Sequence, residues 1–531
     1  MKSYFRQHGI SFLLILLAVI LGNPQLNWPI ATWVGTIASV FFFRRQHAWK
    51  ALLILFPVYL PAFFFSNRGV IPFPDGTLLV LSCLICLLGL LPFALDGWLY
   101  RKLPRGLRLL FLPAAAIVFN LWLSQGPTGA MGFMANTQAT IGPLMQWTAW
   151  IGIFGIGFLI YLTTSVVYAI WENYLQNLPY RKGLIALSVA WGLILGGGAL
   201  RQYQGVQEIS EVPSVRVASI TAETTPFLET MYQAHTGEQK QFSRTLNQSD
   251  PDLQVLSVSM QSFKDQPDNP RFADVHAQTQ RQFARLLTDA EKSVRQGAKI
   301  ILTSEAEIAT TKDREAYYIQ RAQSFAQEHE VYFFLGMASL LPDLRFPEAP
   351  FVENKILVID PKGKVYDTYF KNVPVEGADP SVPGDGQLKV LETEYGRLSY
   401  AICYDTDFPD LMRQAGQLEV DILLVPTGDW YAISPYHTLA ANIRSIESGF
   451  SQVRAVSNGL SSVVDAFGHY HATEDFFADE EHVMIAEVPV LHKATFFASF
   501  GDLVSPLSLL LLLSCVMSLL WRGLRKLRVR Q

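Results

Sequence analysis

Residues 398–409 read LSYAICYDTDFP, an apolar run that closes on Cys403 and gives way at once to Tyr404-Asp405 and then Phe408-Pro409. The run lacks the polar alternation of a half-exposed strand, so it reads as a strand covered on both faces. AKIILTS (298–304) and DILLVPT (421–427) have the same character, and VRVASI (215–220), VYFFLGM (331–337), KILVID (355–360), FSQVRAVS (450–457) and SSVVDAFG (461–468) also read as strands. Amphipathic stretches at 276–297 and 434–449 read as helices between them, and Asp360-Pro361-Lys362-Gly363 is a hairpin turn before KVYDTYF. Strands alternating with helices make the region from about 213 to 492 an α/β domain with both sheet faces covered.

The flanks are different. Over all 531 residues, 50% are hydrophobic and 17% charged, against roughly 25% charged in ordinary soluble domains. The deficit lies before about residue 200 and after about residue 502. Apolar runs near 9–22, 28–43, 48–65, 77–95, 107–124, 148–170 and 183–200, then 503–521, have the length and composition of membrane helices. The expected organisation is therefore an N-terminal membrane domain of about seven helices (1–200), an extracytoplasmic domain (201–502), a C-terminal membrane helix (503–521) and a basic cytoplasmic tail (522–531).

Lys and Arg set the orientation, because loops that stay in the cytoplasm retain them. Lys2, Arg6, Arg44, Arg45, Lys50, Arg101, Lys102, Arg105, Arg108, Arg181 and Lys182, with five basic residues after 521, fall on one side, and of the short loops on the other side only that of Arg68 is basic. Both termini are expected in the cytoplasm and the α/β domain on the outer, periplasmic face of a bacterial inner membrane. A net charge of −4 offers no basic surface for nucleic acid. Of the four cysteines, Cys83, Cys86 and Cys515 sit in apolar runs, which excludes a disulfide framework, and Cys83-x-x-Cys86 has no His or acidic neighbour to make it a metal pair.

Three strand ends carry chemistry. Glu305 ends KIILTSE, Lys371 follows KVYDTYF, and Cys403 ends LSYAIC, each where open α/β sheets place their sites. A thiol attacks carbonyls as thiolate, so it needs a base for its proton and a cation for the negative charge that develops. Glu305 is preferred to Glu307 as that base because it directly follows its strand. His437 reads as a polar residue at a helix start, and Arg444 with Glu447, at i and i+3, as either a structural ion pair holding their helix or a ligand contact.

Together these residues resemble the Glu-Lys-Cys triad of the nitrilase (carbon-nitrogen hydrolase) superfamily, with Cys403-Tyr404-Asp405-x-x-Phe408-Pro409 similar to its cysteine motif. With membrane helices on both sides, the chain resembles the apolipoprotein N-acyltransferase family. Residues 428–468, including Trp430-Tyr431, His437, Arg444-x-x-Glu447, Arg454 and Asn458-Gly459, and residues 142–160 extend the likeness. It departs in having Ser304-Glu305-Ala306 around the base, a short arm after Lys371 in which Glu376 stands for the family's glutamate, and Asp405 in place of a glutamate.

The resemblance implies a multi-pass α-helical membrane domain plus an α/β nitrilase-like domain, an α-β-β-α sandwich. It implies catalysis by Glu305, Lys371 and Cys403, with Tyr404, Glu376, Asp405 and Trp430 at the substrate and oxyanion, and needs no metal or cofactor. The implied reaction moves an acyl chain from a phospholipid, through a Cys403 thioester, to the N-terminal amine of a diacylglyceryl-cysteine lipoprotein, in a monomer bound to the bilayer. A membrane-tethered amidase that hydrolyses a C–N bond is the alternative.

Overall fold

The computed structural model describes residues 2–530 except 24, 127, 247–250, 343, 345–348 and 378. The side chains of Lys2, Arg6, Lys526, Arg528 and Arg530, used above for orientation, lie outside the described part, as does Pro24. The chain forms two compact units, residues 1–203 with 500–531, and residues 204–499.

The first unit is helical. Among the described residues, six helices are long and apolar enough to cross a membrane: Ala48–Asn67, Asp75–Leu99, Arg105–Ser124, Thr148–Leu175, Arg181–Glu211 and the stretch Val504–Arg522. The apolar stretches Gly9–Leu21 and Pro29–Phe43 are shorter. The last helix does not stop where the expected basic tail begins but runs on as Val504–Arg530, since Arg, Lys and Leu are good helix formers. Helix Thr148–Leu175 is broken at Gly152, whose φ of 61° and ψ of −179° are open to glycine at little cost.

Arg44, expected in a basic loop, is buried. Its Nε and Nη2 grip the two carboxylate oxygens of Asp96 at 2.6 and 3.1 Å, Nη2 also donates to Ser165 Oγ at 3.0 Å, and the guanidinium lies 4.0 Å from the Tyr100 ring centre. A buried charge persists only with partners of this kind, so this Arg ties three helices together.

The described residues of the second unit form thirteen strands: β1 (Ser214–Ile220), β2 (Ile300–Thr303), β3 (Ile308–Thr311), β4 (Tyr332–Leu340), β5 (Val352–Ile359), β6 (Val365–Phe370), β7 (Val390–Thr393), β8 (Gly396–Tyr400), β9 (Ile422–Gly428), β10 (Ser451–Ser457), β11 (Leu460–Val464), β12 (Tyr470–Asp475) and β13 (Val483–Pro489). One sheet has the order β13-β1-β2-β4-β5-β6, with β3 also pairing β4, and the other runs β12-β11-β10-β9-β8-β7. In each sheet the central strands are parallel and the outer ones antiparallel.

The two sheets face each other, β1 against β10 and β2 against β9. This explains why β2 and β4 are buried at every position. Helices Ala273–Arg295 and Glu315–His329 cover the outer face of the first sheet through Phe283, Leu286, Ala290, Ala322 and Phe325, packed on Ile301, Phe333, Leu335 and Leu357. Each large side chain so covered contributes about 1.5–3 kcal/mol. Helix Tyr436–Ser448 lies on β10 and β11, completing an α-β-β-α sandwich.

Strand β8 ends at Tyr400, three residues before Cys403, where the apolar run closes, because Cys403 takes φ +48° and the chain turns into a short 3-10 helix, Cys403–Asp407. A non-glycine residue in this left-handed region costs on the order of 1–2 kcal/mol. Such strain clusters at functional sites, where the surrounding structure holds it in place.

Candidate active site

Glu305, Lys371 and Cys403 follow β2, β6 and β8, and the end of β9 joins them. Lys371 Nζ donates to Glu305 Oε1 at 2.8 Å and to Asp379 Oδ2 at 2.7 Å. Asn354 Nδ2 donates to the same Glu305 oxygen at 2.7 Å, and Gly428 N–H donates to the other, Oε2, at 2.8 Å. The carbonyl of Gly428 in turn faces Cys403 Sγ at 3.9 Å. One peptide residue therefore touches both the carboxylate and the thiol.

Backbone packing fixes where Glu305 stands. Gly336 of β4 donates its N–H to Thr303 Oγ1 at 2.8 Å, and a Cβ on Gly336 would lie 2.0 Å from the carbonyl oxygen of Ser304. Only glycine lets β4 pass that close to the turn carrying the carboxylate.

Burial and charge set the protonation states. Burial lowers the proton affinity of Lys371, but Glu305 and Asp379 outweigh it and hold its pKa well above the ordinary value, so it is an ammonium. Burial, then Glu305, push the Cys403 thiol well up, against the pull of Lys371 and Arg454. The resting sulfur thus carries its proton. Asp379 is held below its ordinary value, since Lys371 and Ser381 overcome the cost of its burial.

The remaining expected residues separate. Tyr404 is buried beside Cys403, with its ring packed edge-on against Phe408. Asp405 is wholly buried, and its oxygens accept from Ile402 N–H at 2.9 Å, Tyr369 hydroxyl at 2.8 Å and Val373 N–H at 2.8 Å. It braces the cysteine turn against the lysine arm. Burial raises its pKa to about 6 despite these donors. Trp430 is half-buried at the end of β9, and Tyr431 is exposed against Phe477. Glu376 is exposed, and the carboxylate at Lys371 belongs to Asp379 instead, because the short arm turns outward at Glu376-Gly377 before returning. Glu307 is buried behind the site, accepting from Ser304 Oγ at 2.5 Å and Ala222 N–H at 3.1 Å, and burial raises its pKa.

Two residues near the sulfur, His437 and Arg454, were not in the expected catalytic set. His437 opens helix Tyr436–Ser448, as read, but is buried: its Nδ1 lies 2.6 Å from Asp429 Oδ1 and its Nε2 2.9 Å from Asp407 Oδ2, both also buried. Burial opposes its charge, but the two carboxylates raise its pKa to about 9. Acidic residues at 407 and 429, each just past a strand-end motif, were the available signal. Arg454, fully buried on β10, donates to Thr406 Oγ1 at 3.1 Å, and Thr406 Oγ1 donates to the Cys403 carbonyl at 2.7 Å. Arg444 and Glu447 form a buried ion pair, the structural one of the two readings open for them.

Comparison with known proteins accounts for both units. The family model "Carbon-nitrogen hydrolase" matches residues 261–492, and "Apolipoprotein N-acyltransferase N-terminal domain" matches residues 8–166. An apolipoprotein N-acyltransferase of Shewanella oneidensis is 36% identical over 110 residues, 20% of this chain and 21% of the relative. One from Geobacter metallireducens is 30% identical over 137 residues, 25% of this chain and 26% of the relative. The matched segments thus span about a quarter of these relatives' length. An amidase from Nesterenkonia sp. is a structural neighbour at 20% identity and TM-score 0.33, covering 40% of this chain and 85% of its own. With both family models matched in order along one multi-pass chain, the protein belongs to the apolipoprotein N-acyltransferase family of the carbon-nitrogen hydrolase superfamily.

Proposed function

We propose that this protein is an N-acyltransferase that moves a fatty acyl chain from a phospholipid to the N-terminal amine of a diacylglyceryl-cysteine lipoprotein, by way of a thioester on Cys403. The observation that carries the reading is the contact of Lys371 Nζ with Glu305 Oε1 at 2.8 Å, joined through Gly428 to the thiol.

In the first half-reaction Cys403 Sγ attacks the ester carbonyl of the donor while Glu305 takes the thiol proton. A thiol held protonated by burial gains its nucleophilicity only as that transfer proceeds, which keeps it quiet between turnovers. An ammonium has three N–H donors. Two on Lys371 are engaged by Glu305 and Asp379, and the third stabilises the oxyanion together with the backbone N–H of Tyr404. Glu305 returns its proton to the departing lysophospholipid oxygen. In the second half-reaction the acceptor amine attacks the thioester, gives a proton to Glu305, and leaves as the amide while Cys403 regains its proton.

Asp405 holds the turn that carries the sulfur, and Trp430 lines the way in. Glu376, on the exposed arm, takes part only at the rim. The apolar helices keep the protein where both lipid substrates are, and the bias of Lys and Arg among the loops supports an orientation with residues 204–499 on the outer face and both termini in the cytoplasm. Incubation of the full-length protein in lipid with a diacylated lipopeptide tests the reading. A mass increase of one acyl chain on the peptide supports it, and release of free fatty acid or ammonia without that increase contradicts it.

A further inference from the structure

A second set of side chains surrounds the same sulfur. One ligating atom each from Cys403, Asp429 and His437 lie within 4.8 Å of one another, and all three residues are buried. Thiolate, imidazole and carboxylate are all ligands that zinc accepts, and three protein ligands with one open position is a common zinc arrangement. The ring of His437 is already oriented as a metal-bound imidazole is: Nδ1 faces Asp429 while Nε2 is held by Asp407 at 2.9 Å. A carboxylate on the far nitrogen is the usual outer-shell partner of a ligating histidine.

Asp429 supplies a separate indication. Its side chain is 1% exposed, yet Oδ2 has no hydrogen-bond donor among the described residues. A buried carboxylate oxygen left this way is costly unless something positive meets it. Zinc–sulfur and zinc–nitrogen bonds of about 2.3 and 2.0 Å place S and N roughly 3.5 Å apart in a tetrahedral site. Closing the cluster around an ion therefore requires side-chain movement of on the order of 1 Å.

We propose that Cys403, Asp429 and His437 form a zinc-binding site that caps the thiol and blocks it reversibly. As the Zn–S bond forms the S–H bond breaks, and as Zn–N forms the Nδ1–H bond breaks. Both protons leave to solvent and no oxidation state changes. Affinity consequently climbs with pH. A hard cation such as magnesium, which favours oxygen ligands, does not compete for this set. That the bound ion stops catalysis rests on Cys403 being the nucleophile, whereas the binding itself does not.

The test titrates the full-length protein in detergent with cobalt(II), a spectroscopic stand-in, and then with zinc. The expected result is a thiolate-to-cobalt charge-transfer band saturating at one ion per chain and displaced by zinc. That band is absent from Cys403→Ser and from Cys403→Ala, and Asp407→Asn weakens binding by about 10–100-fold. Cobalt binding without the band, or the same band in both Cys403 variants, overturns the site. In the lipopeptide assay zinc inhibits over the same concentration range and a chelator restores activity. If the band behaves as expected while acyl transfer persists at saturating zinc, the metal site stands and the assignment of Cys403 as nucleophile fails.

Discussion

Lys371 Nζ and Glu305 Oε1 lie 2.8 Å apart with their side chains 4% and 8% exposed, so the two charges at the centre of the site are nearly sealed from solvent and depend on each other. Removing either leaves the other buried and under-compensated, a loss of about 3–5 kcal/mol for such pairs. Lys371→Met should accordingly destabilise the protein more than Glu305→Gln, because it strands two carboxylates, Glu305 and Asp379, rather than one cation that keeps Asp379. Chemical unfolding of the purified variants measures this, and equal losses would mean that Asp379 contributes nothing to the pair.

Asp379 and Glu376 offer a direct contrast within one arm. Asp379 holds the ammonium at 2.7 Å, and Glu376 is exposed on the turn before it. Asp379→Asn is expected to lower acyl transfer by about 10²-fold, the size of effect a misplaced catalytic group produces, while Glu376→Gln stays within about twofold of wild type. Steady-state rates with the lipopeptide decide between them.

His437 makes stability depend on pH. Its pKa rises from 6.5 to about 9 in the fold, where Asp429 and Asp407 overcome the effect of burial. The stabilisation from its charge is complete below pH 6.5, falls away as pH rises towards 9, and is gone above that. The integrated effect is on the order of 3 kcal/mol. Unfolding curves between pH 6 and about 9.5 should show this decline in the wild type and a flatter profile in His437→Gln.

Gly336 tests the backbone that positions Glu305, the proposed base. Because a Cβ there would lie 2.0 Å from Ser304 O, Gly336→Ala must push the Glu305 turn away from β4. A stability loss of about 1–3 kcal/mol is expected from overpacking, with a fall in activity although the substituted residue bears no reactive group. Unchanged activity would show that Glu305 tolerates displacement.

Much of this site was legible in the sequence because strand ends are local features. KIILTSE, KVYDTYF-Lys371 and LSYAIC each combine a strand with one reactive side chain, and Glu305, Lys371 and Cys403 stand within three residues of the ends of β2, β6 and β8. What could not be read depends on how the chain returns. Asp379 reaches Lys371 only because the arm turns back at Gly377, whose φ is +76°. His437 looks like any polar residue opening a helix until Asp407 and Asp429, from two other segments, close on it. Strands β12 and β13 pass unread because they pair at sheet edges, where polar residues such as His471, Glu474 and Glu487 break the apolar pattern. The early end of β8 follows from the left-handed backbone of Cys403, which no propensity of cysteine announces.

The proposed thioester on Cys403 provides the most direct test. Intact-mass measurement of the full-length protein in phospholipid, without acceptor, should reveal a wild-type species heavier by one acyl chain. Hydroxylamine should remove that chain, peptide mapping should assign it to the segment containing Cys403, and added lipopeptide should discharge it. A protein that turns over lipopeptide with no such adduct, or whose adduct persists in Cys403→Ser, would contradict the account.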